Sequence, residues 1–118
     1  MKYLFLLNDP PYGTERSYNG LRLAREMIKE KDSGNQVHVF LMGDAAACAK
    51  GGQKVAQGYY HIESFLKMLV TRDAKVGVCG TCMDARGLAD SELVTGAHRS
   101  NMIELAEWTK WADKVMIF

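Results

Sequence analysis

Val37-His38-Val39-Phe40-Leu41-Met42 runs straight into Gly43-Asp44. The stretch is short, apolar but for His38, and rich in β-formers, which is the pattern of a strand buried on both faces. Tyr3 to Leu7, Val76 to Cys79 and Val115 to Phe118 read in the same way. The intervals between them carry helical spacing. Leu21, Ala24, Met27 and Ile28 form one stripe, in a run expected to stop at Gly34, and Ile62, Phe65, Leu66 and Leu69 form the cleanest. Met102, Leu105, Trp108 and Ala112 form a third face before the last strand. Strands alternating with helices long enough to serve as crossovers predict a mostly parallel sheet with helices on both faces. Residues 87 to 100 are harder to assign, and one more short strand is expected around Leu93 and Val94.

Composition narrows the possibilities. The 118 residues make one domain, 1–118, large enough to build an ordinary core without disulfides or structural metal. A net charge of +1 leaves no basic face for nucleic acid or an anionic membrane, and 47% hydrophobic residues exclude a disordered chain. The N-terminal apolar run, Leu4 to Leu7, falls far short of the ~18 residues that span a bilayer and lacks the layout of a secretory signal. A cytoplasmic location is therefore expected. The odd, sparse set Cys48, Cys79 and Cys82 fits free thiols in a reducing compartment better than a disulfide framework.

Right-handed crossovers bring the strand-to-helix loops to one edge of the sheet, where ligand chemistry belongs. Three loops qualify: Asn8 to Thr14, Gly43-Asp44, and Cys79-Gly80-Thr81-Cys82. Pro10 and Pro11 stiffen the first, and with Tyr12 and Gly13 it reads either as a rigid rim or as a plain turn into the next helix. The third carries more chemistry. Thr81-Cys82-Met83-Asp84 matches a helix-start signal, with Thr81 as cap, Cys82 in the first turn and Gly87 at the end. Thiols near exposed N–H groups, helped by Arg86, favour the thiolate; on this argument Cys82 is the more acidic. A thiolate at a crevice mouth attacks a disulfide or accepts a sulfane sulfur, and a second thiol three residues away resolves the adduct. The competing reading is that both cysteines only pack.

Other uses of the pair fit less well. A zinc site lacks its second pair of ligands, so Cys48, His61 and His98 would have to converge from distant segments; no metal or cofactor is expected. A thioredoxin-type fold would need a later cis-proline, and the only prolines are Pro10 and Pro11. A phosphoacceptor domain would carry a carboxylate where Cys79 stands, and neither Gly-Lys-Ser/Thr nor G-x-G-x-x-G occurs. Cys48, in an alanine-rich helix-like run, reads as a core thiol. His61 reads as a surface residue, or as a base if a thiol lies beside it. Lys50 to Gly58 reads as a mobile loop able to cover the crevice, or as an ordinary connection. Trp108, Trp111, Tyr59 and Tyr60 are more aromatic surface than a small sheet hides, which points to an oligomer.

Several blocks together carry a resemblance. Asp9-Pro10-Pro11-Tyr12-Gly13, Arg22-Leu23-Ala24, Phe40-Leu41-Met42-Gly43-Asp44-Ala45, Cys79 through Gly87, and Ala112-Asp113-Lys114-Val115 resemble the DsrE/DsrF-like family, in its YchN-like branch, over essentially the whole chain. The resemblance implies a three-layer α/β/α domain with a five-stranded parallel sheet and a homohexamer built from trimers, with a homotrimer as the smaller alternative. From the sulfur-relay members it implies a persulfide carrier at Cys79, sulfurtransferase-like, in sulfur relay or sulfur oxidation, with sulfur donor and acceptor proteins as partners. Relay subunits keep one cysteine at this position, whereas this chain adds Cys82, expected to resolve or tune. Arg86, Thr81, Tyr12, Gly13 and His61 are the expected supporting residues. The alternative function is an oligomeric binding or assembly protein that presents the thiol crevice without turnover.

Overall fold

The computed structural model describes residues 1–118. Five strands alternate with helices: β1 Lys2–Leu7, α1 Arg16–Ile28, β2 Gln36–Leu41, a 3₁₀ segment Gly43–Ala49, α2 Ile62–Thr71, β3 Lys75–Cys79, α3 Gly80–Ala85, a 3₁₀ turn Asp90–Glu92, β4 Ala97–Ser100, α4 Met102–Trp111 and β5 Lys114–Ile117. All strand pairs are parallel, in the order β4-β3-β2-β1-β5. The α/β architecture expected from the sequence is the one observed.

Topology decides which face each helix covers. From β1 to β4 every step moves toward the same edge, so right-handed crossovers place α1, α2 and the α3 region on one face. The step from β4 to β5 returns across three strands in the opposite sense, which puts α4 on the other face. Packing follows that division. Leu21, Ala24 and Ile28 of α1 and Ile62, Leu66 and Leu69 of α2 pack on Tyr3, Phe5, Leu7, Val39, Val76 and Val78. Leu105 and Trp108 of α4 pack with Leu4, Phe40 and Cys79. Gly77 permits the second approach: a Cβ there would lie 3.2 Å from both Phe40 and Trp108.

Three local expectations are corrected. Strand β4 is Ala97–Ser100, not Leu93-Val94; Leu93 makes only an isolated antiparallel bridge to Lys50, while Val94 plugs the core. Helix α1 ends at Ile28 rather than running to Gly34, and the Asn35 side chain donates to the Met27 carbonyl near its frayed end. The alanine-rich run around Cys48 is a 3₁₀ segment.

Cys48 is fully buried, and burial pushes its thiol up to about 12 from an ordinary value of 9.0. In that interval the unfolded chain has released a proton that the folded chain keeps, so stability falls as pH rises. Between pH 9 and about 10.5 the expected loss from this group is about 2 kcal/mol. Denaturant melts of wild type and Cys48→Ala across that range check it: the variant's profile will lack this slope, and parallel profiles would contradict the assignment.

Candidate functional site

An open parallel sheet has its crevice where neighbouring strands send their following helices to opposite faces. Here those neighbours are β3, which leads into α3 on the α1/α2 side, and β4, which leads into α4 on the other. Cys79 ends β3 and pairs in register with Ser100, the end of β4. Cys79 therefore stands at the topological switch point.

Cys79 is the N-cap of α3, and Cys82 is the third residue of its first turn. Thr81 is not the cap that the sequence suggested; it lies inside the helix and its hydroxyl is 3.4 Å from the Cys79 sulfur. The two-residue shift of the cap reverses the order of acidity. Burial pushes Cys79 up, but the Cys82 side chain, the Thr81 hydroxyl and the N–H groups of Cys82 and Thr81 outweigh it, so the thiol lies below its ordinary value. For Cys82, burial and then competition with Cys79 for the shared proton push the thiol up, against the Gly43 N–H and Arg86. Cys79 is thus the more acidic of the two thiols. That corrects the expectation that Cys82 is the more acidic, and agrees with the carrier role the resemblance gave Cys79.

The surroundings hold this pair still. Gly43 N–H donates to the Cys82 sulfur at 3.2 Å, which ties the loop after β2 to the thiol helix. Arg86 folds back as expected: its guanidinium donates to the Cys82 carbonyl at 3.1 Å and pairs with Asp44 at 2.8 Å. Two features escaped the sequence reading. Arg99 of β4 forks onto Asp84 of α3 at 2.7 and 3.0 Å and also reaches Asp90, so the two sides of the crevice are strapped together. Gly80 makes room for the strap, since a Cβ there would lie 2.8 Å from the Arg99 Nε. The Arg99 guanidinium holds the Asp84 carboxyl below its usual range.

Tyr12, Gly13 and His61 are placed elsewhere. The Tyr12 hydroxyl donates to Gln53 at 2.8 Å and accepts from Ile62 N–H; Gly13, in a positive-φ conformation, shapes the turn beside it. His61 caps α2, with Nδ1 accepting from Ser64 N–H and Nε2 donating to the Gln53 carbonyl. These residues fasten the segment after Lys50 rather than touching sulfur. The first part of that segment is also held by Gly51 N–H on the Glu92 carbonyl and by Gln53 on Glu63 and Cys48, so it is anchored where a mobile cover was expected. Cys48 and His98 do not join the thiol pair. The nearest contact of the Cys48 sulfur is the Asp9 carbonyl, and His98 is bonded to Glu104. No three His, Cys, Asp or Glu side chains converge on a metal-sized site.

The profile of the DsrE/DsrF-like family matches residues 1–118. The chain belongs to that family. It is 38% identical to Protein YchN of Escherichia coli K12 over 117 residues, 99% of this chain and 98% of YchN. It is 35% identical to an uncharacterised protein of Methanocaldococcus jannaschii over the full length of both chains. The crystal structure of E. coli YchN superposes with a TM-score of 0.92 over 99% of this chain and 98% of that one. A Methanobacterium thermoautotrophicum protein of unknown function, 10% identical, shares the fold at a TM-score of 0.76 over 98% of this chain and 97% of that one. This chain carries Cys79 and Cys82 on a single turn of helix. No helix is long and apolar enough to cross a membrane.

Proposed function

We propose that this DsrE/DsrF-like protein handles sulfane sulfur, with Cys79 as the persulfide-carrying residue and Cys82 as its partner thiol. The carrying observation is a thiolate-favouring cysteine at the switch-point crevice, with a hydroxyl and a second thiol beside its sulfur. The Cys79 thiolate attacks the terminal sulfur of a donor persulfide R–S–SH, forming Cys79–S–SH and releasing RS⁻. An acceptor thiolate then takes the terminal sulfur and returns Cys79 to its thiolate. Incubation with glutathione persulfide followed by intact-mass analysis tests the reading: one added sulfur, removed by reductant and absent in Cys79→Ser, is the expected result. An unmodified chain with accessible thiols supports the alternative, a binding or assembly protein.

Assembly is part of the same reading. Helix α4 covers only part of its face of the sheet, leaving Ile117 67% exposed and Val115 39% exposed beside Leu6, with Met102 and Ile103 exposed on the first turn of α4. An apolar strip of this kind suits a second copy of the chain, and family resemblance sharpens the expectation to a homohexamer of two trimers, or a homotrimer. Light scattering at low micromolar concentration is expected to give a multiple of three chains. A stable monomer would remove the assembly and leave the thiol crevice to act within one chain.

A further inference from the structure

The two thiols stand on one turn of helix, Cys79 at its N-cap and Cys82 three residues on. Cys79 is 7% exposed, which restricts a partner protein's approach to its sulfur, whereas Cys82 is held within the same turn. Gly43 N–H points at the Cys82 sulfur, a fixed donor of the kind that stabilises a thiolate as it forms. Asp44, the residue after that donor, holds Arg86, and Arg86 grips the Cys82 carbonyl, so the position of Cys82 is fixed from both sides.

We propose that a persulfide on Cys79 is discharged internally by Cys82, releasing sulfide, so that the protein acts as a persulfide reductase served by a dithiol reductant. The inference rests on the carrier reading and names the fate of the carried sulfur. After loading, the Cys82 thiol gives its proton to water, and the Gly43 N–H, 3.2 Å from its sulfur, faces the anion that forms. The Cys82 thiolate attacks the inner, Cys79 sulfur. A bond forms between the two protein sulfurs, the bond between Cys79 and the terminal sulfur breaks, and the electron pair leaves with the terminal sulfur as HS⁻. The sulfane sulfur is reduced by two electrons and the two thiols are oxidised by two electrons to the Cys79–Cys82 disulfide. A dithiol R(SH)₂ then reduces the disulfide by exchange and leaves as R(S–S). The sum is R′–S–SH + R(SH)₂ giving R′–SH + H₂S + R(S–S), in which atoms and electrons balance.

Attack at the outer sulfur only moves the persulfide to Cys82, and the same step in reverse returns it. Attack at the inner sulfur is drawn forward because hydrosulfide is a weaker base than an alkyl thiolate and diffuses away. Holding both sulfurs on one helical turn makes the step unimolecular, an advantage an external acceptor lacks. The reaction preceding this protein is then one that makes low-molecular-weight persulfides, and the reaction following it is one that consumes sulfide.

The test uses full-length protein, anaerobic, with one equivalent of glutathione persulfide and no added reductant, followed by intact mass and by sulfide release. Wild type is expected to pass through a one-sulfur adduct to a chain two hydrogens lighter, with about one sulfide released per chain; adding dithiothreitol will make release continue. Cys82→Ser is expected to keep the added sulfur and to release sulfide about a hundredfold more slowly. Wild type holding the adduct as long as Cys82→Ser, or equal sulfide release from both, would overturn internal discharge and leave the carrier intact. A glutathione mixed disulfide in Cys82→Ser, or no sulfur adduct in either protein, would instead overturn the carrier reading beneath it.

Discussion

Cys79→Ser is expected to lose sulfur loading by roughly two orders of magnitude, the largest functional effect of any single substitution in this chain. The reasoning is electrostatic. Only Cys79 has its anion favoured by a neighbouring thiol, a hydroxyl and two backbone N–H groups at once, while the Cys82 thiol is pushed up and Cys48 is sealed in the core. A serine hydroxyl in place of the thiol has no comparable anion at neutral pH and no nucleophilic sulfur. In wild type the faster alkylation phase is expected to titrate below the ~8.5 of a free cysteine, with an apparent value that belongs to the pair. Removing Cys79 relieves Cys82 of one of the influences that raise it and leaves burial, the larger one, in place. Peptide mapping of the alkylated protein checks the order, with Cys79 first, Cys82 second and Cys48 last. Sulfur loading in Cys79→Ser at the wild-type rate would transfer the nucleophile's role to Cys82.

Phe40→Ala carries the largest expected cost in stability, about 3–5 kcal/mol. The ring is fully buried between Leu4 and Leu105, with its centroid 6.0 Å from Trp108 in an edge-on arrangement. Few side chains make up the α4 side of the core, so neighbours have little material with which to fill the void. Urea unfolding at fixed protein concentration measures the loss, and a change below about 1 kcal/mol would mean that this small cluster collapses without penalty. The same cavity opens beside Cys79, so Phe40→Ala protein is also expected to alkylate more evenly between its two site thiols.

What the sequence revealed and concealed follows from the range of the forces involved. β2 was legible because both its faces are buried, which leaves an apolar run with little else to mean. β4 was not, because Ala97-His98-Arg99-Ser100 lies at the sheet edge with only Ser100 buried; its identity as a strand comes from pairing with β3, a non-local contact that leaves no periodic trace. Leu93 and Val94 drew attention by being apolar, yet Val94 is buried as a plug from an irregular segment. The thiol loop was legible as chemistry because two cysteines, a glycine and a threonine cluster at the end of a strand. The order of acidity was not, because it depends on which residue stands at the N-cap, and the Thr-x-x-Asp signal fell two residues beyond it. The Arg99–Asp84 strap joins residues fifteen apart whose approach depends on the edge strand that was misplaced.

The return of α4 across the sheet also governs how the chain is made. β1 is a central strand made long before β5, one of its two neighbours; Lys2 N–H donates to Asp113 at a separation of 111 residues, and Asn8 N–H donates to the carbonyl of Phe118. Until residues 114–117 have been made, β1 presents one unpaired edge, the kind of edge that recruits other chains. A nascent polypeptide of this protein therefore depends on β5 to complete its sheet, and a stop codon shortly before Lys114 is expected to yield aggregate rather than a slightly shorter protein.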